Sequence, residues 1–489
     1  MPPYGAEAWG MDIAIIGGGA AAVGVLDALA SAAPARGSIR VFGPSPHLWR
    51  GRPYGPDLDS VLVNAPPAIM SIRHADPGHY GAWLGGRGDA YLDERLGQPL
   101  VPRAVYGEYL EQTAEKALAV LRERGRWTEV VAARVVGAAR SGGRLVLRTE
   151  DGGEHVADRV VLCVGGGRPH DHYGLAGAPG FAGDPYPLAG TLENVAPETD
   201  VAVIGSGLTA VDVVVSLAAR GHTGRISMVS RTGMLPHVWQ RPGAHRPRHV
   251  TTERVRALLD DHGAVTLDGL AGLLRAELAD AGEDFDALLA DLRAAPREDP
   301  VGRLRRQIAA IDAPEIGRRV LQETSHTVGP YAWRLLADDD KDRLRALFRV
   351  ATSVASPMVP VNAARLLELF DSGRLDVVRG VERIERVHGG FRIDARGPDT
   401  RRTSWIAGRV VNAVNPPPHA IGQDAAALVA ALVAEGLVAP CPSGGVLAAD
   451  ARVRIVGDLA GDGPFVTSGI PGVAAQGAAA ARAVLAAAP

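Results

Sequence analysis

The sequence predicts an α/β fold with two similar domains, because one pattern of elements occurs twice. Met11–Ala30 and Asp200–Ala219 each contain a short β-branched run, a glycine-rich turn and an apolar, alanine-rich helix pattern. Downstream of each, an alternating stretch typical of antiparallel strands precedes a short apolar strand, in Arg159–Gly165 and in Arg409–Asn415. A duplicated unit of this kind favours two Rossmann-like dinucleotide-binding domains.

The repeated pattern also predicts how the chain is divided. The C-terminal part returns to an apolar strand and an alanine-rich helix, so we assign it to the first domain and expect the second domain to be inserted in the first. A Gly- and Pro-rich stretch is typical of a linker, and a stretch with helical spacing but no strand pattern predicts an all-helical insertion. The insertion is either structural filler or a lid or wall for a substrate. The expected boundaries are residues 1–170 and 416–489 for the first domain, 171–197 for the linker, 198–415 for the second domain and 251–348 for its helical insertion.

Composition and charge narrow the function classes. The chain has 489 residues, 46% of them hydrophobic, so it can bury a large core. Its 52 basic and 55 acidic residues give a net charge of −3, which provides no electrostatic basis for binding nucleic acid or an anionic membrane. The most apolar window, Val201–Leu217, contains two glycines and Asp212, so no membrane span is predicted. The two cysteines, Cys163 and Cys441, form no CxxC pair, which argues against a disulfide framework or a zinc site and is typical of a cytoplasmic protein.

Two glycine-rich turns indicate nucleotide chemistry. In a dinucleotide-binding turn the first glycine allows the sharp bend after the strand, and the second lets a pyrophosphate approach the backbone. A small third residue lets the helix pack on the sheet, and the helix N-terminus offers free N–H groups to the phosphates. Both turns have this spacing: Gly17, Gly19 and Ala22 in the first, and Gly205, Gly207 and Ala210 in the second.

The residues after the second strand of each unit indicate which nucleotide binds. In the first unit Gly43 replaces the acid that usually holds the ribose, so we expect this contact from the backbone or from Ser45. In the second unit the strand ends in Ser230 and Arg231. A hydroxyl followed by a guanidinium suits a 2′-phosphate, which favours NADPH over NADH. The alternative is that Arg231 is an ordinary surface arginine.

A third motif lies near the C-terminus. Gly457-Asp458 follows an apolar strand, and Gly469-Ile470-Pro471-Gly472 precedes a helix. Asp458 could accept hydrogen bonds from a ribityl chain, and the N-terminus of the helix at Ile470 could face the part of a flavin that gains negative charge on reduction. Alone this would be an ordinary strand–helix turn, but together with the two glycine-rich turns it favours a flavoprotein that binds FAD.

Further motifs in the first half resemble those of the FAD-NAD(P)-binding family. This family is similar to the two-dinucleotide-binding-domain flavoproteins and is related to flavin-dependent N-hydroxylating monooxygenases. The motifs are Gly51–Gly55, Leu62–Pro66, Met70-Ser71 and Val101–Leu110. The resemblance implies that FAD is contacted by Arg52, Tyr54, Asn64, Met70 and Arg103. For Tyr54 and Met70 the alternative is packing in the core. The chain departs from the pattern at Asn415-Pro416, where the usual hinge glycine is absent.

These observations lead to a functional expectation with open alternatives. We expect a FAD-dependent, NADPH-consuming monooxygenase that N-hydroxylates a small amine or amino acid through a C4a-(hydro)peroxyflavin, with a small-molecule substrate and dioxygen as its partners. The alternatives are an NAD(P)H-dependent flavin oxidoreductase acting on a quinone or another acceptor, and a non-catalytic nucleotide-binding sensor. A disulfide reductase is disfavoured because the chain lacks a cysteine pair. Since the flavin would carry the reaction, the sequence leaves the catalytic side chains unassigned, and we predict no metal site.

Overall fold

Two five-stranded parallel sheets, one in each domain, organise the structure. The computed structural model describes residues 10–32, 36–44, 46–397, 400–463 and 469–486. In each sheet the strand before a glycine-rich turn lies in the centre, where its short β-branched run is buried on both faces. The expected α/β fold with two Rossmann-like domains is therefore confirmed.

The first domain begins with a strand, a glycine-rich turn and a helix, as the sequence predicts. An antiparallel meander separates this unit from the last strand before the linker, and short 3-10 turns lie at Pro67–Ile69 and Gly85–Tyr91. In chain order the elements are β1 (Ile13–Ile16), α1 (Ala20–Ala32), β2 (Ser38–Phe42), α2 (His79–Leu84), β3 (Leu92–Asp93), β4 (Gln98–Pro99), α3 (Arg103–Glu123), β5 (Trp127–Val131), β6 (Val135–Ser141), β7 (Arg144–Thr149), β8 (Glu154–Ala157) and β9 (Arg159–Leu162).

The second domain repeats this plan around a long helical segment. The segment separates the third and fourth strands of the sheet in chain order, and an antiparallel meander again precedes the last strand. The linker and the strand–helix unit contribute β10 (Phe181–Ala182), α4 (Leu188–Thr191), β11 (Val201–Ile204), α5 (Leu208–Ala219) and β12 (Ile226–Ser230). The helical segment consists of α6 (Thr252–Arg256), α7 (Leu267–Asp280), α8 (Phe285–Ala294), α9 (Pro300–Ala309), α10 (Gly317–Thr327), α11 (Gly329–Leu335), α12 (Asp338–Ala346), α13 (Phe348–Ala355) and α14 (Pro360–Asp371). The remaining strands are β13 (Leu375–Arg379), β14 (Val381–Val387), β15 (Gly390–Arg396), β16 (Arg402–Ala407) and β17 (Arg409–Asn412).

The C-terminal part returns to the first sheet. It contributes α15 (Gln423–Ala434), β18 (Val438–Pro440), β19 (Val446–Ala448), β20 (Val453–Ile455) and α16 (Ile470–Ala486). The strand order of the first sheet is β20-β9-β1-β2-β5, with all neighbours parallel. Because β20 pairs with β9, the second domain is inserted in the first. One face of the sheet packs on α1, α3 and α16, and the other packs on the β6–β8 meander and α15.

The second sheet has the order β10-β17-β11-β12-β13, also parallel throughout. Its edge strand β10 belongs to the stretch that the sequence predicts as a linker. A two-residue strand among glycines and prolines has no periodic pattern, so only its pairing with β17 reveals it. The core of this domain lies between the sheet, α5 and α14 on one face, and the β14–β16 meander on the other.

The helical segment extends further than the sequence predicts, from Thr252 to Asp371 rather than over 251–348. The first four helices begin at residues whose side-chain oxygens accept a hydrogen bond from a backbone N–H in the first turn, which is the usual capping chemistry. These caps are Thr251, Thr266, Asp284 and Asp299. Among the residues that the structure describes, no helix is long and apolar enough to cross a membrane.

The chain passes between the two domains twice, after β9 and after β17, and we call these two segments the domain crossings. They pack against each other through glycines. Gly167 follows β9 and has φ = +82°, and a Cβ atom there would lie 2.5 Å from the Cα of Gly422 on the return crossing. At the second crossing Asn415 replaces the usual hinge glycine, and its Oδ1 accepts a long hydrogen bond of 3.4 Å from Thr209 in the first turn of α5. The departure at Asn415 thus adds a polar contact to the second glycine-rich turn.

We predict that Gly167→Ala destabilises the protein. The positive φ alone is expected to cost about 1–3 kcal/mol, and the backbone contact with Gly422 adds to it. The measurement is the free energy of unfolding in urea. Gly165→Ala is the matched control in the same crossing, because a Cβ there meets nothing within 4 Å. Equal stability of the two variants would contradict the close crossing.

Candidate functional site

The first glycine-rich turn, which we call the first cradle (residues 17–22), has the geometry that its spacing predicts. The N–H of Gly17 donates to the carbonyl of Phe42 at 2.8 Å, and Gly17 has φ = +113°. A methyl group on Gly17 would overlap the carbonyl of Cys163, so only glycine fits this bend. Ala22 is fully buried where α1 packs. Because α1 begins directly after Gly19, the N–H groups of its first turn lack partners within the helix and suit a phosphate.

The loop after β2 lies over the first cradle. The N–H of Trp49 donates to the carbonyl of Gly18 at 2.6 Å. Gly51 has φ = +60°, and a Cβ atom on it would lie 3.4 Å from the Cα of Gly19. The motif that begins at Gly51 is therefore adjacent to the turn expected to bind the pyrophosphate.

The end of β2 accounts for the missing acid. A Cβ atom on Gly43 would lie 2.7 Å from Cδ1 of Leu48, whose side chain also packs against Gly18. A side chain at position 43 would therefore displace Leu48 from its contact with Gly18. The other residue considered for the ribose contact, Ser45, lies outside the described residues.

Tyr54 and Asp458 come from distant parts of the sequence and act on each other electrostatically. The Tyr54 ring packs on Tyr106 with centroids 4.7 Å apart. Burial raises the pKa of the Tyr54 hydroxyl, the Arg103 charge opposes this rise, and the Asp458 charge adds to it. The structure thus brings the Gly51–Gly55 motif close to the C-terminal Gly457-Asp458 motif.

Asn64 presents an unused acceptor. Its backbone carbonyl accepts a hydrogen bond from the Trp239 indole at 2.7 Å. Its side-chain Oδ1 is buried and has no hydrogen-bond partner among the described residues. A buried amide oxygen without a partner is costly in an apo protein, and a donor from a bound cofactor would satisfy it.

Met70 and Ile470 lie in the core of the first domain. Met70 is buried, and its carbonyl accepts a hydrogen bond from the Tyr106 hydroxyl at 2.7 Å. Ile470 is buried at the start of α16 in the same apolar cluster. Both residues therefore pack in the core, and their contact with FAD stays a prediction.

The two arginines implied by the family resemblance have different surroundings. Arg52 is partly exposed and pairs with Asp184 of the linker, with Nε and Oδ2 3.1 Å apart. Arg103 is buried at the start of α3 and donates to the carbonyl of Leu62 at 3.0 Å. Both side chains are held by protein groups, and both connect the first domain to other parts of the chain.

Arg103 is the centre of a buried polar cluster between the domains, formed with Tyr186 of the linker and Asp212 of α5. Its guanidinium donates to Asp212 Oδ2 at 2.6 Å and to the Tyr186 hydroxyl at 3.0 Å, and this hydroxyl donates to the same carboxylate. Burial alone would lower the pKa of Arg103, but the Asp212 charge raises it above its ordinary value. Sequence reasoning missed Tyr186 and Asp212 as site residues. A charged residue inside the apolar pattern of α5 was the only signal that could have pointed to Asp212.

The C-terminal Gly-Asp motif lies beside the first cradle. Gly457 has φ = +92°, and a Cβ atom on it would lie 3.4 Å from the Cβ of Ala21 in the first turn of α1. A Cβ atom on Gly166 would lie 3.7 Å from Oδ2 of Asp458. The motif, the first turn of α1 and the first domain crossing therefore meet at one place.

The second cradle (residues 205–210) repeats the first. The N–H of Gly205 donates to Val229 at 2.8 Å, its φ is +117°, and a Cβ atom would lie 3.1 Å from the carbonyl of Ala413. By contrast, a Cβ atom on Gly207 would meet nothing within 4 Å, so the turn has an open face before α5 begins. Ala210 is buried where α5 packs on the sheet.

Ser230 and Arg231 serve different purposes beside the second cradle. The Ser230 hydroxyl accepts from the N–H of Gly233 at 2.9 Å and lies 3.0 Å from the Ser206 hydroxyl, so it holds the turn together. Arg231 is exposed. Burial, with a contribution from the Arg231 charge, lowers the pKa values of His172 and Arg349. Arg231 and Arg349 therefore lie close enough to repel each other at this end of the sheet, and His172, whose pKa is lowered, is their neutral neighbour.

The residues present fit the two expected nucleotides. In the first domain, the first cradle could hold the pyrophosphate of FAD, and Asp458 could hold its ribityl chain. The unpartnered Oδ1 of Asn64 could accept a hydrogen bond from an N–H group of the flavin ring. The open face at Gly207 and the cations around Arg231 could hold the pyrophosphate and 2′-phosphate of NADPH.

Comparison with known proteins agrees with this geometry. Residues 14–167 match the family model described as FAD-NAD(P)-binding, so the resemblance inferred from the motifs is confirmed. A search of curated proteins found no significant match.

Solved structures resemble nearly the whole chain. L-lysine 6-monooxygenase from Pseudomonas syringae has a TM-score of 0.59 at 16% identity, covering 97% of this chain and 100% of that one. Cadaverine monooxygenase from Erwinia amylovora has a TM-score of 0.58 at 12% identity, covering 97% and 94%. Ornithine N-hydroxylase from Kutzneria sp. 744 has a TM-score of 0.56 at 12% identity, covering 97% and 98%. The chain therefore has the fold of flavin-dependent, NAD(P)H-using oxidoreductases.

We predict that Arg103→Gln is far more destabilising than Arg52→Gln. Loss of Arg103 leaves Asp212 buried without its cation, which is expected to lower the free energy of unfolding by about 3–5 kcal/mol. Loss of the half-exposed Arg52 pair should cost about 0–1 kcal/mol. The measurement is the free energy of unfolding in urea of the two variants and the wild-type protein, all without FAD. If Arg103→Gln lost FAD while keeping its stability, Arg103 would be a cofactor contact rather than a link between domains.

Proposed function

We propose that this chain is a FAD-dependent monooxygenase that consumes NADPH and hydroxylates the nitrogen of a small amine or amino acid. The observation that carries the proposal is the pair of glycine-rich cradles on separate parallel sheets, joined by packed crossings and by the buried Arg103–Asp212 contact. One cradle suits a resident flavin and the other a reductant that comes and goes. The likeness to proteins named as a lysine monooxygenase, a cadaverine monooxygenase and an ornithine N-hydroxylase supports nitrogen as the atom oxidised.

Each part of the first domain would have a defined task. The first turn of α1 would bind the pyrophosphate, Asp458 the ribityl chain, and the buried Oδ1 of Asn64 a donor group of the cofactor. The Trp239–Asn64 hydrogen bond would fix the direction of that amide. Bound FAD would supply the electron transfer and the activation of dioxygen, which side chains alone cannot provide.

The second domain would select and orient the reductant. The open turn at Gly207 would admit the pyrophosphate of NADPH, and Arg231 would hold the 2′-phosphate. Arg349 comes from the helical segment, so two separate segments would contribute positive charge at this point, with the neutral His172 of the linker beside them.

The competing function as a disulfide reductase has little support. It requires a pair of thiols near the flavin, whereas Cys163 and Cys441 are far apart in the sequence and form no CxxC motif. Burial raises the pKa of the Cys163 thiol, which makes it a poor nucleophile. The remaining alternative is a reductase that passes electrons to a quinone or another acceptor, and measurement of the reaction products distinguishes it from a monooxygenase.

The purified protein is expected to bind FAD and to oxidise NADPH faster when a suitable amine is present. The experiment measures NADPH consumption, peroxide release and hydroxylated product with a panel of amines and amino acids. A hydroxylated product formed in proportion to NADPH supports the proposal. NADPH oxidation that responds only to quinones would favour the reductase, and failure to bind FAD would favour a non-catalytic protein.

Arg231→Ala is expected to reduce the preference for NADPH over NADH by roughly ten- to a hundred-fold, because a charge-assisted phosphate contact is lost. The ratio of kcat/KM values for the two nucleotides measures the preference. Arg220→Ala, at the exposed end of α5, is the matched control and should leave the ratio unchanged. The role given to Arg231 is wrong if both variants keep the wild-type ratio.

The double variant Cys163→Ala/Cys441→Ser is expected to keep NADPH oxidation and product formation. The physical reason is that the reaction proposed uses no thiolate. The measurement compares both rates with those of the wild-type protein, and circular dichroism controls for correct folding. A folded variant that had lost turnover would restore the disulfide reductase to consideration.

A further inference from the structure

A cavity of about 250 Å³ lies between the helical insertion and the start of α16. We call it the insertion cavity, and it is lined by His74, by His326, Tyr331 and Arg334 of the insertion, and by Asp462 and the first two turns of α16. Its volume is below the roughly 300–1,000 Å³ typical of pockets for drug-sized ligands. The cavity therefore has the size for a small metabolite rather than for a nucleotide.

The insertion cavity borders the candidate flavin site. Gln476 forms part of its wall, and Oε1 of this side chain accepts a hydrogen bond from the N–H of Gly457 at 2.7 Å. Gly457 precedes Asp458 and contacts the first turn of α1. One side chain thus separates the cavity from the motif expected to hold the ribityl chain.

His326 is a neutral acceptor on the cavity wall. Its Nε2 donates to the carbonyl of Ala355 at 2.5 Å, which leaves Nδ1 as the acceptor nitrogen. A Cβ atom on Gly469 would lie 2.8 Å from this Nδ1, so this nitrogen packs against the start of α16. Burial lowers the pKa of His326, which keeps the ring uncharged near neutral pH.

Opposite charges come from the two sides of the cavity. Arg334 belongs to α11 of the insertion, and Asp462 to the segment after β20. Both side chains are exposed, and neither has an ion-pair partner within the part of the chain that the structure describes. A guanidinium and a carboxylate that are not neutralised by the protein can each bind an ionic group of a ligand.

We propose that the insertion cavity binds a small amino acid, whose carboxylate pairs with Arg334 and whose ammonium group pairs with Asp462. The neutral His326 imidazole on the same wall adds no charge that would repel a second amino group of such a ligand. This assignment rests on the proposed function, because it places the substrate of the same reaction next to the flavin site. It also gives the helical insertion the role of a substrate wall, one of the two roles that the sequence leaves open.

Equilibrium binding to the FAD-loaded, full-length protein without NADPH tests the proposal independently of turnover. Isothermal titration calorimetry would compare L-ornithine, L-lysine and L-aspartate with putrescine, which is ornithine without its carboxylate. We expect at least one amino acid to bind, and to bind ten- to a hundred-fold more weakly to Arg334→Gln and to Asp462→Asn. Arg293→Gln, in the insertion but outside the cavity wall, should bind it as the wild-type protein does.

The outcomes separate this inference from the proposed function. Absence of binding by every amino acid, or equal binding by wild-type protein and Arg334→Gln, would overturn the cavity assignment even if amines are hydroxylated. Putrescine binding as tightly as ornithine would also overturn it. Amino-acid binding that depends on Arg334 and Asp462 would support the cavity, even if the product analysis showed no N-hydroxylation and the proposed function failed.

Discussion

The contact between Arg103 and Asp212 is the constraint on which the relation between the two cradles depends. Asp212 lies on α5, the helix that begins at the second cradle. Arg103 is the first residue of α3, beside the segment that is expected to contact FAD. A buried ion pair adds little net stability, because desolvation of two charges offsets their attraction. It does, however, penalise any arrangement in which one charge stays buried without the other. The pair therefore favours one relative orientation of the domains.

Other contacts across the same interface act in the same direction. Asp57 accepts hydrogen bonds from the N–H groups of Leu188 and Ala189 at 2.9 and 2.8 Å, and the hydroxyls of Ser60 and Ser216 lie 2.8 Å apart. Together with the close packing of Gly167 and Gly422, they hold the linker, the first domain and α5 as one unit. With the domains held in this way, an electron donor bound in the second cradle would already lie near the flavin, without a movement of the domains. The helical insertion would then form the wall of the substrate cavity.

The sequence predicts the parts of this structure that are encoded locally. The central strands, both glycine-rich turns and the meanders follow from short periodic patterns, and the structure confirms them. The edge strand Phe181–Ala182 could not be predicted, because two residues carry no periodicity. The partners of Arg103 were missed for a related reason, since ion pairs between residues 109 positions apart leave no local signal. Asn64 shows the opposite case, in which the resemblance names a residue and the unpartnered oxygen gives a physical reason for it.

Anaerobic mixing of the FAD-loaded protein with equimolar NADPH is the decisive experiment, because reduction of the flavin requires both cradles and the path between them. We expect the visible absorbance of the oxidised flavin to disappear within one turnover, and to disappear more slowly with NADH. If NADPH binds but the flavin stays oxidised, the two cradles do not face each other in a productive orientation, and the proposed oxygenation has no source of electrons.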